Sequence, residues 1–183
     1  AVVNSVPDRA VLETYIRGAS HEALLAAAAR VDRALRAGAL ALGAGLRIVN
    51  SPGYQAFDPD PGLGALLGEA AAAVVDNKNI DFNYRSYASD DIGDVACLQP
   101  TCQLRFSGFN GEIHSADFAV KEPGRAYLKP AEILLRTVAA LGADDGAAAK
   151  RVLKAFTPRF SVSGYRASLD RLFSTLEYPG EAL

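Results

Sequence analysis

The chain has 183 residues, half of them hydrophobic, and its 19 basic and 21 acidic side chains leave a formal net charge of −2. That is enough apolar material for one ordinary domain, or two small ones, around a packed core. The charge balance and the lack of a dense Lys/Arg run speak against nucleic acid as a partner. Arg30, Arg33 and Arg36 interrupt the longest alanine-rich stretch, so no segment reaches the roughly 20 apolar residues a bilayer span needs, and no membrane association is expected.

In chain order, residues 2–6 form a short apolar run closed by Pro7-Asp8. Residues 11–17 then alternate, with Glu13, Tyr15 and Arg17 on one side and Leu12, Thr14 and Ile16 on the other. Alternation with β-branched and aromatic residues predicts a half-buried strand, and the turn between the two runs predicts a hairpin. Ser20 is placed to cap a helix with Glu22 in its first turn and an apolar stripe of Leu24, Ala28, Val31, Leu35 and Leu42. Its polar face carries Arg30, Arg33 and Arg36, most simply a solvated face. Gly43 to Gly45 should stop this helix, and residues 46–50 resume a strand, giving a small antiparallel sheet covered on one face by helix.

Residues 51–61 hold Pro52, Gly53, Pro59 and Pro61 and mark the best boundary in the chain. The expected division is residues 1–53 and residues 54–183. Leu63, Leu66, Leu67, Ala70 and Val74 predict an amphipathic helix ended by residues 76–79, and residues 101–106 read as a strand. Pro130 suits the first turn of a helix carrying Ile133, Leu134, Val138 and Leu141, and a second helix should follow Asp144-Asp145. The tail is expected to hold one more short helix around residues 169–176.

Cys97 and Cys102 are the only cysteines and would close a very small disulfide loop of little entropic value, so both are read as reduced core residues in a cytoplasmic protein. The absence of a charged leader agrees with that location. The arginine- and alanine-rich composition is associated with bacterial genes, and the lack of any methionine permits a reading as the later part of a longer polypeptide.

The chemistry centres on Gly111-Glu112-Ile113-His114-Ser115-Ala116-Asp117-Phe118, which holds one of only two histidines. A neutral imidazole on a loop fed by a rigid strand is a common way to supply a zinc ligand. Taken alone, such a histidine more often caps or hydrogen-bonds at a surface. With His21 near a helix start, the chain cannot build a histidine-rich cage by itself, and four-coordinate zinc would need carboxylates such as Asp117 or Asp91. No phosphate-cradling glycine loop, G-x-S-x-G elbow or H-E-x-x-H pair occurs.

Several local patterns agree in sequence and order with one family. Asn4-Ser5-Val6-Pro7-Asp8 followed by Ile16-Arg17 resembles the N-[VI]-[IV]-P-[DG] … [IV]-R signature in the lid, or dimerisation, domain of the di-zinc peptidases and amidohydrolases. That family includes aminoacylases, glutamate carboxypeptidases and aminobenzoyl-glutamate hydrolases. Ser89-Asp90-Asp91-Ile92-Gly93-Asp94-Val95 resembles the S-T-D-[VM]-G-D-V turn of the aminobenzoyl-glutamate-hydrolase-like branch. His114-Ser115-Ala116-Asp117-Phe118 resembles the H-[SG]-x-[DE]-[FY] segment that carries the last metal ligand. Ser5 departs from the usual apolar residue.

The resemblance runs to about Leu141 and covers only the later half of a family member. It implies an α+β or α/β fold: a partial ferredoxin-like lid domain, then the C-terminal part of a zinc-peptidase catalytic domain with an extra helical tail. His114 would bind one of two zinc ions, about 3.5–4 Å apart in such centres. Asp91, Asp94 or Asp117 would steady its imidazole. The glutamate base and the remaining ligands belong to the missing N-terminal half, so no catalytic residue is assigned here and the isolated chain should be inactive. Asn4 and Arg17 would hold the carboxylate of a small amide substrate, an N-acyl amino acid or aminobenzoyl-glutamate, because a guanidinium fork matches a carboxylate bidentately. A homodimer through the lid domain is implied. The rival readings are a non-catalytic dimerisation or carboxylate-binding module and a mononuclear metal protein centred on His114.

Overall fold

Ser20 starts the first helix as its chemistry requires: the hydroxyl accepts from the Ala23 amide at 3.1 Å, and the helix α1 runs His21–Ala41. At its other end Gly43 takes φ +63, and the amides of Gly43 and Ala44 return to the carbonyls of Leu40 and Ala39. Two otherwise orphan carbonyls are satisfied by this left-handed stop, which glycine adopts at little steric cost. The computed structural model describes residues 4, 7–81 and 90–180.

The chain mixes helices with two small sheets. Strand β1, Leu46–Asn50, forms where alternation placed it, and Ile48 turns inward. Its partner is β4, Ser174–Tyr178, antiparallel in the register Ile48 to Leu176. The tail therefore corrects the expected helix over residues 169–176. Helix α5, Val162–Leu172, ends at Phe173, and a strand follows. Leu169, Leu172 and Leu176 lie at helical spacing, but the pairing offered by β1, 124 positions away between Asn50 and Ser174, overrides that local period.

Helix α2, Pro61–Ala72, is capped by Asp60, whose carboxylate accepts from the Leu63 amide at 2.7 Å, with Pro61 in the first turn. It packs along α4, Lys129–Ala155, and Leu67, Ala70, Ala71 and Ile133 make the core, flanked by Val74, Ile80, Cys102 and Leu104. Pro130 lies in the first turn of α4 as expected. Ala143, Asp144, Asp145 and Gly146 leave helical backbone angles, so α4 is two helical segments joined at the Asp144-Asp145 step.

Two expected strands are absent. Residues 11–17 carry no regular structure, and among the described residues no strand lies beside them. A strand needs a neighbour to satisfy its backbone groups. The proposed hairpin partner, residues 2–6, falls outside the described residues apart from Asn4. Residues 101–106 also form no ladder; their alternation reflects Cys102 and Leu104 packing against the helical core. The short helix α3, Ile92–Ala96, and the hairpin of β2, Phe109–Asn110, with β3, Ala119–Val120, complete the elements used below. Among the described residues no helix is long and apolar enough to cross a membrane.

Candidate functional site

The histidine stretch is the tip of the β2–β3 hairpin. Phe109 pairs with Val120 and stacks on Phe118 with ring centroids 5.0 Å apart, which anchors both ends of the loop. Gly111 turns the chain at φ +79, and a Cβ there would come within 2.5 Å of the Asp117 carbonyl. The loop closes on itself through the Ser115 hydroxyl, which donates to the Asp117 carboxylate and reaches the Glu112 carbonyl. His114 sits within this turn at φ +70, exposed to solvent. A non-glycine residue at such an angle is held there by its surroundings, here the Ser115 and Gly111 contacts on either side.

The described residues do not by themselves make a metal site. His114 offers one imidazole, one Asp117 oxygen is engaged by Ser115, and among the described residues no group of three or more His, Cys, Asp or Glu side chains could hold an ion.

The acidic turn lies elsewhere in the chain's packing and does a different job. Asp94, on α3, accepts from the Gln55 amide at 3.1 Å and lies beside the Tyr165 phenol of α5. Asp90 accepts from the Ile92 amide at 3.2 Å and the Gln103 side chain at 3.1 Å, so it caps the turn and ties it to the following segment. Asp91 is exposed at the start of α3 and makes no capping bond. Of the three candidate steadying carboxylates, then, Asp94 is engaged in holding the fold, Asp117 is bonded inside the hairpin loop, and Asp91 faces solvent.

Around Asp94 a hub joins four segments. His21, the first residue of α1, bonds through Nδ1 to Gln55 Oε1 at 2.8 Å and meets Phe160 edge to face at 5.7 Å. Gln55 is only 3 % exposed. The Cys97 carbonyl at the end of α3 accepts from the amides of Arg159 and Phe160. Burial, followed by the Asp94 carboxylate beside it, pushes the Tyr165 phenol up to about 12. Burial also raises the Cys97 and Cys102 thiols, so neither is poised as a thiolate nucleophile.

Asn4 is in an exposed turn and Arg17 is also exposed. Ser5, Val6 and Ser89, which complete the quoted motifs, lie outside the described residues. Sequence reasoning missed an open cleft of about 580 Å³ between α2 and the second half of α4. Asp58, Glu69, Arg151, Arg159 and Cys97 are among the residues that line it. Only the Pro-rich segment 51–61 hinted at a feature there.

No family model, curated protein or solved structure matches the chain.

Proposed function

We propose that this chain is the C-terminal part of a metal-dependent amidohydrolase or peptidase acting on the amide bond of an N-acyl amino acid or an aminobenzoyl-glutamate-like substrate. The observation that carries the reading is the placement of His114: an exposed residue in a left-handed turn, inside the segment that resembles the family's last ligand. A ligand contributed to a centre completed by other residues must be accessible, and the closed turn presents His114 to solvent. The remaining zinc ligands and the proton-accepting glutamate would come from a preceding segment. Asn4 and Arg17 would hold the substrate carboxylate, and the complete protein would be a cytoplasmic homodimer.

Measuring zinc content and hydrolysis of N-acyl amino acids decides the matter. This chain alone should hold no stoichiometric pair of zinc ions and turn over nothing. The polypeptide extended by the reading frame upstream of Ala1 should hold two and lose metal and activity on His114→Ala. Two-zinc binding with turnover by the chain alone, or an extended His114→Ala protein that keeps both metals, overturns the proposal.

A second reading is favoured by the exposed apolar residues Val11, Leu12 and Tyr15 ahead of α1. Such a run suits burial against another copy, as in a non-catalytic dimerisation or carboxylate-binding module. A chain that dimerises while its extended form holds no metal would establish this instead.

A further inference from the structure

The arginines of α1 do more than solvate one of its faces. Arg33 and Arg36, one turn apart, line a pocket of about 400 Å³ whose other walls are Leu40 and Gly43 at the end of the helix and Tyr178 and Pro179 after β4. That volume lies in the range of small-molecule sites, about 300–1,000 Å³. No described carboxylate lines it, and among the described residues neither guanidinium is paired with an acidic side chain. Among the described residues its charged lining is thus of one sign, unlike the larger cleft beside α2, which both acids and arginines line.

Arg36 is also oriented. Its guanidinium carbon lies 4.3 Å from the centroid of the Tyr178 ring. The ring face attracts the cation, and a guanidinium carries a planar fork of N–H donors that matches a carboxylate bidentately. Tyr178 is held in turn by the β1–β4 ladder, where it pairs with Leu46. Leu40, Pro179 and the alanines of α1 give the rest of the lining an apolar character.

We infer that the pocket formed by Arg33, Arg36 and Tyr178 binds a small organic carboxylate with an apolar body, the carboxylate on the arginines and the body against Leu40 and Pro179. It shares no residue with the histidine hairpin and does not depend on the hydrolase reading.

The test is a titration of the full chain with sodium benzoate, followed by amide chemical shifts. Expected is saturable binding, with shifts confined to residues around Arg33, Arg36, Gly43 and Tyr178. Affinity should fall at least tenfold in Arg33→Gln and in Arg36→Gln and stay unchanged in Arg30→Gln, which alters a neighbouring arginine outside the pocket. Cyclohexylammonium, of similar bulk and opposite charge, should not bind, and inorganic phosphate should bind more weakly than benzoate. Among the described residues Arg33 forms no ion pair and no ring contact, so Arg33→Gln remains informative should Arg36→Gln disturb β4. Absence of saturable shifts, equal loss in Arg30→Gln and Arg33→Gln, equal binding of the cyclohexylammonium probe, or phosphate binding as tight as benzoate would each overturn the assignment.

Discussion

Gly93 packs so closely on Gln55 that a Cβ added to it would stand 2.0 Å from the Gln55 carbonyl oxygen and 2.9 Å from its carbonyl carbon. This contact lets α3 approach the segment after β1 near enough for Asp94 to reach the Gln55 amide. Backbone faces the missing side chain, so nothing flexible can yield. Gly93→Ala should destabilise the protein by about 3 kcal/mol or more, at the upper end of overpacking effects. Urea unfolding would show it as a lowered midpoint with an unchanged slope. A variant as stable as the parent would mean that α3 and Gln55 are not packed this closely.

Burial of the Tyr165 phenol, with the Asp94 carboxylate beside it, predicts an alkaline limit to stability. The phenol's ordinary value of 10.0 is pushed up to about 12, so the folded state holds this proton more tightly than the unfolded chain does. The stability linked to it is fully present below pH 10 and is lost as pH rises through the folded value. Tyr165→Phe should cost about 1 kcal/mol or less near neutral pH, where a partly buried hydroxyl beside a carboxylate is removed. Between the two values it should show a shallower decline than the parent. Parallel decline of the two proteins through that window would rule out the coupling.

Ile133 and Leu135 share one helix but not one environment. Ile133 is 5 % exposed and lies in the cluster with Leu67, Ala70 and Ala71, whereas Leu135 is 69 % exposed. Ile133→Ala should cost about 2–5 kcal/mol through lost burial and the cavity left behind. Leu135→Ala should stay within about 0.5 kcal/mol, as surface changes usually do. Thermal melts of the pair suffice, and equal losses would show that α4 presents a different face to α2.

Local chemistry was legible in the sequence wherever a single element decides its own ends. Ser20 capping, the stop at Gly43 and the alternation of Leu46 to Asn50 all read directly into structure, whereas Asp60 and Pro61, read as part of a boundary, start α2. Pairing was not legible. Residues 169–176 keep a helical period that ends at Phe173 because β1 supplies a ladder partner from far along the chain. In residues 101–106 the alternation reports one side packed on helices rather than a strand. The histidine stretch was legible as a loop, but its closure by Gly111, Ser115 and Asp117 depends on the β2–β3 pairing. Asp94 was read as chemistry because its motif hides the contacts, Gln55 and Tyr165, that come from distant segments.

The step inside α4 offers a fourth measurement. Gly146 has φ +73, and a Cβ there would meet nothing nearer than the Leu141 carbonyl at 3.8 Å. Space is therefore available, and the left-handed backbone alone opposes a side chain. Gly146→Ala should cost about 1 kcal/mol, the steric penalty of that conformation. A gain in stability would indicate that the helix runs straight through Asp144 and Asp145.

The β1–β4 ribbon has a consequence for how the molecule is assembled and trimmed. Asn50 donates to the Ser174 hydroxyl across 124 positions, so closing the ribbon carries the loop-entropy cost of a long-range contact. A protease that nicked the chain just past Phe173 would carry off β4 with Tyr178. What remained would expose the bare hydrogen-bonding edge of β1 and leave Arg36 without the ring beneath it, turning a closed seam into a surface prone to sticking to its own kind.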